Sequence, residues 1–478
     1  MTDDPIGGSF GIFPSITICN NFPFSMDKIN RLKLPTIDEF YTKVDKAAEA
    51  IGGSNRFLEG IKSIGGYFSY LGINNVKKVA HKKDELFLEC KVILLEGYLN
   101  DYRNCTTTLL SRVDRYLHPD YFACYTIRPL YNESYSDGLT SLLLNGLQTV
   151  LHLKESGENL SFNGSKGAKF TVHQPDAWFN VKIHGHDVRP SSMTTAQIAG
   201  SADVKLEKPY GNCYNSSFIE PVKTLEGYNL MYSSSACYAL CKLKAIAENC
   251  QCIDPYQLIS PDHINKYRNY SLCHKLPDVI TKESIEKFVN RLQCREREVL
   301  KAEKTCIPTC RPPCLRMVYK VDLGEGIWPD KRQVMSVYEG LILNKVFHKD
   351  YLDYYDIFKK WSTTKEPSDI LLNKKNRLEK NLILLKFYWM SQTGYFSRID
   401  QKVYDAADLF SQIGGILNLW TGITFILLVE IFEFLYRLFM LKTAKKAEER
   451  LGTSLQRTRT ALNLIRTDKT RCTTGRRN

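Results

Sequence analysis

The sequence lacks the local signatures of catalysis: it has no P-loop, no nucleophile elbow, no zincin helix and no dinucleotide-binding glycine fingerprint. Its nine histidines are scattered. His173, His184 and His186 fall near one another, and their ordinary reading is structural or exposed histidine. These absences argue against an enzyme, a cofactor and a metal centre. Long apolar runs are almost missing too. Ile413 to Val429 goes seventeen residues without a charge and without a proline, and no internal repeat is present. Pro5 to Met26 is also uncharged, but Asp3 and Asp4 lack the basic start of a signal peptide, and Pro14, Asn20, Asn21 and Pro23 exclude a spanning helix.

What is present begins with charge. The formal net charge of +13 would suggest nucleic acid if it were spread along the 478 residues. It is concentrated instead: from Arg437 to the C-terminus twelve Lys/Arg stand against three Asp/Glu, so the preceding residues carry an excess of only four. A basic segment directly after the most apolar one is the positive-inside pattern of a membrane protein. Adding Glu430 to Tyr436 to the apolar run gives the ~20 residues that a bilayer crossing needs.

Of fifteen cysteines, thirteen lie between Cys90 and Cys314. Zinc is the competing reading, for Cys237, Cys241, Cys250 and Cys252 or for Cys306, Cys310 and Cys314, but the spacings are not the usual paired CxxC. A membrane segment downstream supplies the oxidising compartment in which disulfides persist. Six N-x-S/T sequons lie on the same side of that segment, at Asn104, Asn132, Asn159, Asn163, Asn215 and Asn269.

Phe13 to Asn20 reads as a short strand. Residues 25–115 read as charged helical patches with glycine turns at Gly52-Gly53 and Gly65-Gly66, and residues 120–215 tend to alternate as strands do. Ser284 to Leu300 has amphipathic helical spacing, and Asn381 to Tyr388 reads as a buried strand. The fold class expected is α+β: a disulfide-rich extracellular domain with central β-sheets and an inserted helical subdomain over 1–412, a transmembrane helix over 413–440, and a basic cytoplasmic tail over 441–478. At ~100° per residue, Ser411, Gln412, Gly415, Asn418, Gly422, Glu430 and Glu433 share one third of the helix circumference, an arc that also takes in Leu419, Ile426 and Val429, so the polar face is a tendency rather than a clean stripe. A plain anchor would tolerate the small residues but not the carboxylates, because intramembrane carboxylates are costly and usually face a water-filled path.

The segment from Gly414 to Glu430 closely resembles the second membrane helix of the degenerin/epithelial sodium channel family, which includes acid-sensing and peptide-gated channels. Phe13 to Asn20, Ala123-Cys124-Tyr125-Thr126, Pro209-Tyr210-Gly211-Asn212-Cys213, Tyr319 and Trp328-Pro329 are similar to further landmarks of that family. The resemblance implies a selectivity filter at Gly422-Ile423-Thr424, pore-lining Ser411, Gly415, Asn418 and Glu430, and a gating position at Asp408. It also implies the disulfides Cys19–Cys124, Cys90–Cys105, Cys213–Cys314, Cys237–Cys310, Cys241–Cys306, Cys250–Cys294 and Cys252–Cys273, a connectivity that sequence alone does not give. Asn418 stands where the family usually has Gly, Asp408 where a small residue is usual, and Tyr210 where Trp is usual. Family members begin with a His-Gly dipeptide and a first membrane helix. Only twelve residues precede Phe13 here, so the chain reads as an N-terminally truncated subunit.

The function implied is a subunit of a trimeric, amiloride-sensitive, sodium-selective channel of the plasma membrane, gated through its extracellular domain. The partners implied are sodium ions, related subunits in a homo- or hetero-trimer and the lipid bilayer, with no nucleic acid. The alternative is a single-pass cysteine-rich receptor or a non-conducting channel fragment.

Overall fold

Ser15–Asn20 forms strand β1, and all six of its residues are buried, because strands pair on both of its edges. The computed structural model describes residues 13–96, 99–105, 111–129, 144–153, 166–175, 177–214, 222–223, 229–256, 266–267, 269–330, 332–343, 351–364, 378–390, 396–402, 404–421 and 425–471. The chain divides into two compact units, Met1–Asp400 and Gln401–Asn478.

In the first unit, six short helices follow β1: α1 (Met26–Arg31), α2 (Ile37–Ala50), α3 (Arg56–Ile61), α4 (Ile64–Leu71), α5 (Ile73–Val79) and α6 (Lys83–Leu86). Thr36 caps α2 with a full capping box to Glu39, an arrangement worth about 1 kcal/mol. Gly52 and Gly53 take positive φ after α2, as a turn requires. Gly65-Gly66 instead lies inside α4, which corrects the turn reading. A side chain on Gly66 would meet the Ile61 carbonyl oxygen, so these glycines serve close packing.

Strands begin earlier than the sequence suggests. β2 (Phe87–Glu96), β3 (Leu99–Asn104) and β4 (Ser111–His118) occupy the end of the stretch read as helical patches. Leu88, Cys90 and Val92 do alternate inward, but Glu89 and Lys91, paired with each other at 2.6 Å, hide that alternation in a charged-looking segment. Next come β5 (Phe122–Pro129), β6 (Leu144–His152), β7 (Ala168–His173), the single turn α7 (Val181–His184), β8 (His186–Val188), β9 (Ser192–Val204) and the two-residue strands β10 (Val222–Lys223), β11 (Asn229–Leu230), β12 (Cys252–Ile253) and β13 (Ser271–Leu272). A five-stranded sheet runs β4-β5-β1-β7-β8.

The larger sheet is completed by β14 (Leu315–Ile327), β15 (Leu382–Trp389) and β16 (Phe396–Ile399). Its order is β14-β9-β15-β6-β2-β3, with β16 also on β9. Phe24, Phe40, Tyr67 and Phe122 form the aromatic centre of the main core, with ring centroids 5.3 to 6.2 Å apart.

Between β9 and β14 lies the helical insertion, α8 (Ser234–Cys250) and α9 (Lys282–Thr309). Ser233 and Thr281 cap them with their side chains. Cys237–Cys310, Cys241–Cys306 and Cys250–Cys294 form three rungs between the antiparallel pair, and Cys252–Cys273 staples the connection. Cys213–Cys314 closes the base, where the Lys205 N–H donates to the Cys314 carbonyl at 2.7 Å. Cys19–Cys124 joins facing residues of β1 and β5, and Cys90–Cys105 anchors β2 to the end of β3. The Ile285, Phe288, Val289 and Leu292 face of α9 is buried. After the single turn α10 (Val334–Val337), residues 338–342 form a π-helical turn that packs Tyr338 and Ile342 beneath the sheet, with Tyr338 stacked on Tyr354 of α11 (Leu352–Thr364).

The second unit holds α12 (Ala406–Thr421) and α13 (Phe425–Arg471). Among the described residues no helix is long and apolar enough to cross a membrane. α12 has only sixteen residues, and the first turns of α13 carry Glu430, Glu433, Arg437 and Lys442 among their apolar residues.

Candidate functional site

Asp405 starts α12. Its carboxylate accepts the Ala406 N–H at 2.9 Å, and the Asp408 carboxylate accepts the Asp405 N–H at 3.1 Å. Both negative charges therefore sit at the positive end of the helix dipole. Asp408 thus has a local reason to be acidic, since its carboxylate helps to start α12.

Ser411, Gly415 and Asn418 follow at spacings of four and three, which puts them on one face of α12. A side chain on Gly415 would meet nothing within 4 Å among the described residues. Gly422, Ile423 and Thr424 lie outside the described residues. Beyond them, Glu433 pairs with Arg437 one turn on at 2.7 Å. Glu430 has no ion pair among the described residues. Of the two carboxylates that the sequence places in the apolar segment, one is neutralised within its own helix and the other is not. Around them Leu419 is 83% exposed, Ile426 70% and Phe432 71%, an apolar surface that calls for lipid or neighbouring helices.

In the first unit, polar groups join the stapled helices to the five-stranded sheet. Asp254 is fully buried and receives two bonds from Arg295 of α9, at 3.0 and 2.7 Å. Two residues on, Tyr256 donates to Asp120 in the turn between β4 and β5, and Lys182 of α7 pairs with the other oxygen of that carboxylate at 3.0 Å. Burial, and secondly the Asp120 charge, raises the Tyr256 hydroxyl far above the usual tyrosine range, so it remains a donor. His118 accepts the Asp120 N–H at 3.1 Å, and burial lowers it to about 4. Nothing in the sequence spacing brings Asp120, Lys182, Asp254 and Tyr256 together; the cluster exists only in the fold.

His173 stacks on Phe179 with centroids 3.7 Å apart and bonds to Thr17 at 3.0 Å; burial lowers it to about 3. It is structural, whereas His184 is exposed on α7 and His186 lies against Phe170. Tyr210 is half exposed beside the Cys213–Cys314 base. Among the sequons, Asn104 and Asn269 are exposed; Asn132, Asn159, Asn163 and Asn215 lie outside the described residues.

A family model described as amiloride-sensitive sodium channel matches residues 8–434, a span that takes in the stapled insertion, both sheets and the helices bearing Ser411, Gly415, Asn418 and Glu430. The chain belongs to the amiloride-sensitive sodium channel family. It is 22% identical to an FMRFamide-activated amiloride-sensitive sodium channel of Cornu aspersum, over 89% of this chain and 72% of that one. It is 25% identical to the epithelial sodium channel subunit gamma of Pelodiscus sinensis over 74% of this chain, and 22% identical to the human gamma subunit over 79%. The chain spans about half the length of those gamma subunits, 45% and 51%. The amiloride-sensitive sodium channel family is one of ion channels, not enzymes, in line with the lack of catalytic motifs.

Proposed function

We propose that this chain is one subunit of a trimeric, sodium-selective cation channel of the plasma membrane, gated through its stapled extracellular domain. The observation that carries the reading is the unbroken family match from residue 8 to residue 434, which joins the ectodomain to the helix with a polar face. Three copies of residues 413–440 would surround the pore, with Ser411, Gly415, Asn418 and Glu430 facing it and with lipid or neighbours on the exposed apolar side chains. An ion would shed part of its water at Gly422-Ile423-Thr424, where backbone carbonyls and a hydroxyl replace hydration oxygens. Asp405 and Asp408 at the outer mouth, and Glu430 below, which has no ion pair among the described residues, favour cations. The basic tail from Arg437 onward holds the C-terminus in the cytoplasm, so the sequons face outward.

Reversal potentials measured with sodium and potassium, on channels expressed from the full transcript, test the filter. Thr424→Ser keeps the hydroxyl and is expected to keep selectivity; Thr424→Val removes the oxygen at similar volume and is expected to alter the sodium-to-potassium ratio. If Gly422→Cys and Thr424→Val both conduct with wild-type selectivity, the filter lies elsewhere.

A further inference from the structure

We propose that the groove between the start of α3 and the outward face of α9 binds an acidic peptide segment of a second polypeptide, one that carries an apolar side chain between its carboxylates. The groove encloses about 620 Å³, within the range of ligand sites. On α9, Gln293, Arg297, Leu300 and Lys304 recur at helical spacing on a face that flanks the buried one. Arg56 and Phe57 at the first turn of α3 form the other wall, held there by the Asn55 cap.

The charges are unbalanced in a way that selects the ligand. Arg56, Arg297, Lys301 and Lys304 line the groove, and among the described residues Glu296 is its one lining acid. Glu296 is engaged by Arg56 at 3.1 Å. Glu298, beneath, is buried, accepts from Lys301 and Asn249 at 2.8 and 2.9 Å, and also lies 3.8 Å from the Arg297 guanidinium, so two carboxylates answer four cations. Lys304 makes no ion pair among the described residues. Two cationic charges are therefore left in excess, and an incoming carboxylate meets no free acid.

The floor is not purely electrostatic. Leu300 is 59% exposed, and Phe57 lies half-buried beneath the Arg56 guanidinium, 4.6 Å from its ring centroid. A second recess of about 260 Å³ begins across the Arg56–Glu296 bridge and shares Phe57, so an extended segment laid over the bridge reaches both. Carboxylates spaced around an apolar side chain match this pattern. A sulfated glycan would leave Leu300 and Phe57 unmatched and would need a longer cationic track.

The test uses the full chain solubilised in detergent and a fluorescein-labelled peptide alternating glutamate and leucine, with a lysine–leucine peptide as counterpart, read by anisotropy at physiological ionic strength. Saturable binding of the acidic peptide alone is expected. Arg297→Glu with Lys304→Glu is expected to weaken it by about tenfold or more, and Leu300→Ser by several-fold. An unchanged map of disulfide-linked peptides shows that the variants are folded. The proposal is overturned by no saturable binding, by equal binding of the lysine peptide, or by indifference to the charge reversal. Sensitivity to charge with none to Leu300 would reveal a polyanion surface instead and would overturn the peptide assignment.

Discussion

Tyr256 donates its hydroxyl to Asp120 across 2.9 Å, and that bond fastens the segment following α8 to the turn between β4 and β5. Gly65 of α4 lies directly against the same hydroxyl, so a side chain there displaces Tyr256. Tyr256→Phe is expected to destabilise the ectodomain by about 1–3 kcal/mol, because a buried carboxylate oxygen loses its donor. Gly65→Ala should cost a comparable amount. The two effects should be well short of additive, since both break the same bond; denaturant unfolding of the single and double variants measures this. Full additivity would show that Gly65 acts elsewhere.

Acid should weaken the ectodomain through His118. Burial lowers its folded pKa to about 4 from an ordinary 6.5, with Asp120 pulling it up and Lys182 pushing it down. Between those values the unfolded chain binds a proton that the folded chain refuses. Stability from this residue is therefore full above about 6.5, falls as pH drops, and levels off below about 4, with a slope up to ~1.4 kcal/mol per pH unit. His118→Gln should lower stability at neutral pH and flatten the decline, as thermal unfolding across that window would record.

Removing the charge of Glu430 should reduce conductance, because it has no ion pair among the described residues, whereas Glu433 is offset by Arg437. Glu430→Gln is expected to lower single-channel current at low ionic strength, with Glu433→Gln close to wild type. Equal effects at the two positions would contradict a pore-facing Glu430.

At Asp408 two roles separate by substitution. Asp408→Asn retains an oxygen for the Asp405 N–H, and Asp408→Ala does not, so the alanine variant should cost the helix start about 1 kcal/mol. If the position also sets gating, resting current changes with Asp408→Ala and much less with Asp408→Asn. Identical resting currents in all three would separate the cap from the gate.

Periodicity and buried apolar runs made Ser15–Asn20, Lys282–Thr309 and Leu382–Trp389 legible in the sequence. Phe87–Glu96 was not, since its surface face carries a Glu89–Lys91 pair that resembles a helical charge pattern. Gly65-Gly66 misled because glycine pairs usually signal turns, and only the neighbouring Ile61 carbonyl and Tyr256 hydroxyl explain their place in a helix. Spacing alone puts Ser411, Gly415 and Asn418 on one side of α12, whereas Glu430 lies on α13 and joined the candidate pore face through the resemblance. The cysteine pairing was reachable only by resemblance, and the Asp120 cluster, drawn from four separate segments, was not reachable at all.

The three rungs between α8 and α9 fix the two helices along their length as well as side by side. Sliding one past the other by a single helical turn is ~5.4 Å, more than three covalent links permit at once. A push at the far end of such a hairpin is not absorbed by slippage. Cys213–Cys314 lies at the base of that hairpin, where β9 and β14 leave the sheet as adjacent strands, so both ends of the insertion are tied to one point of the sheet.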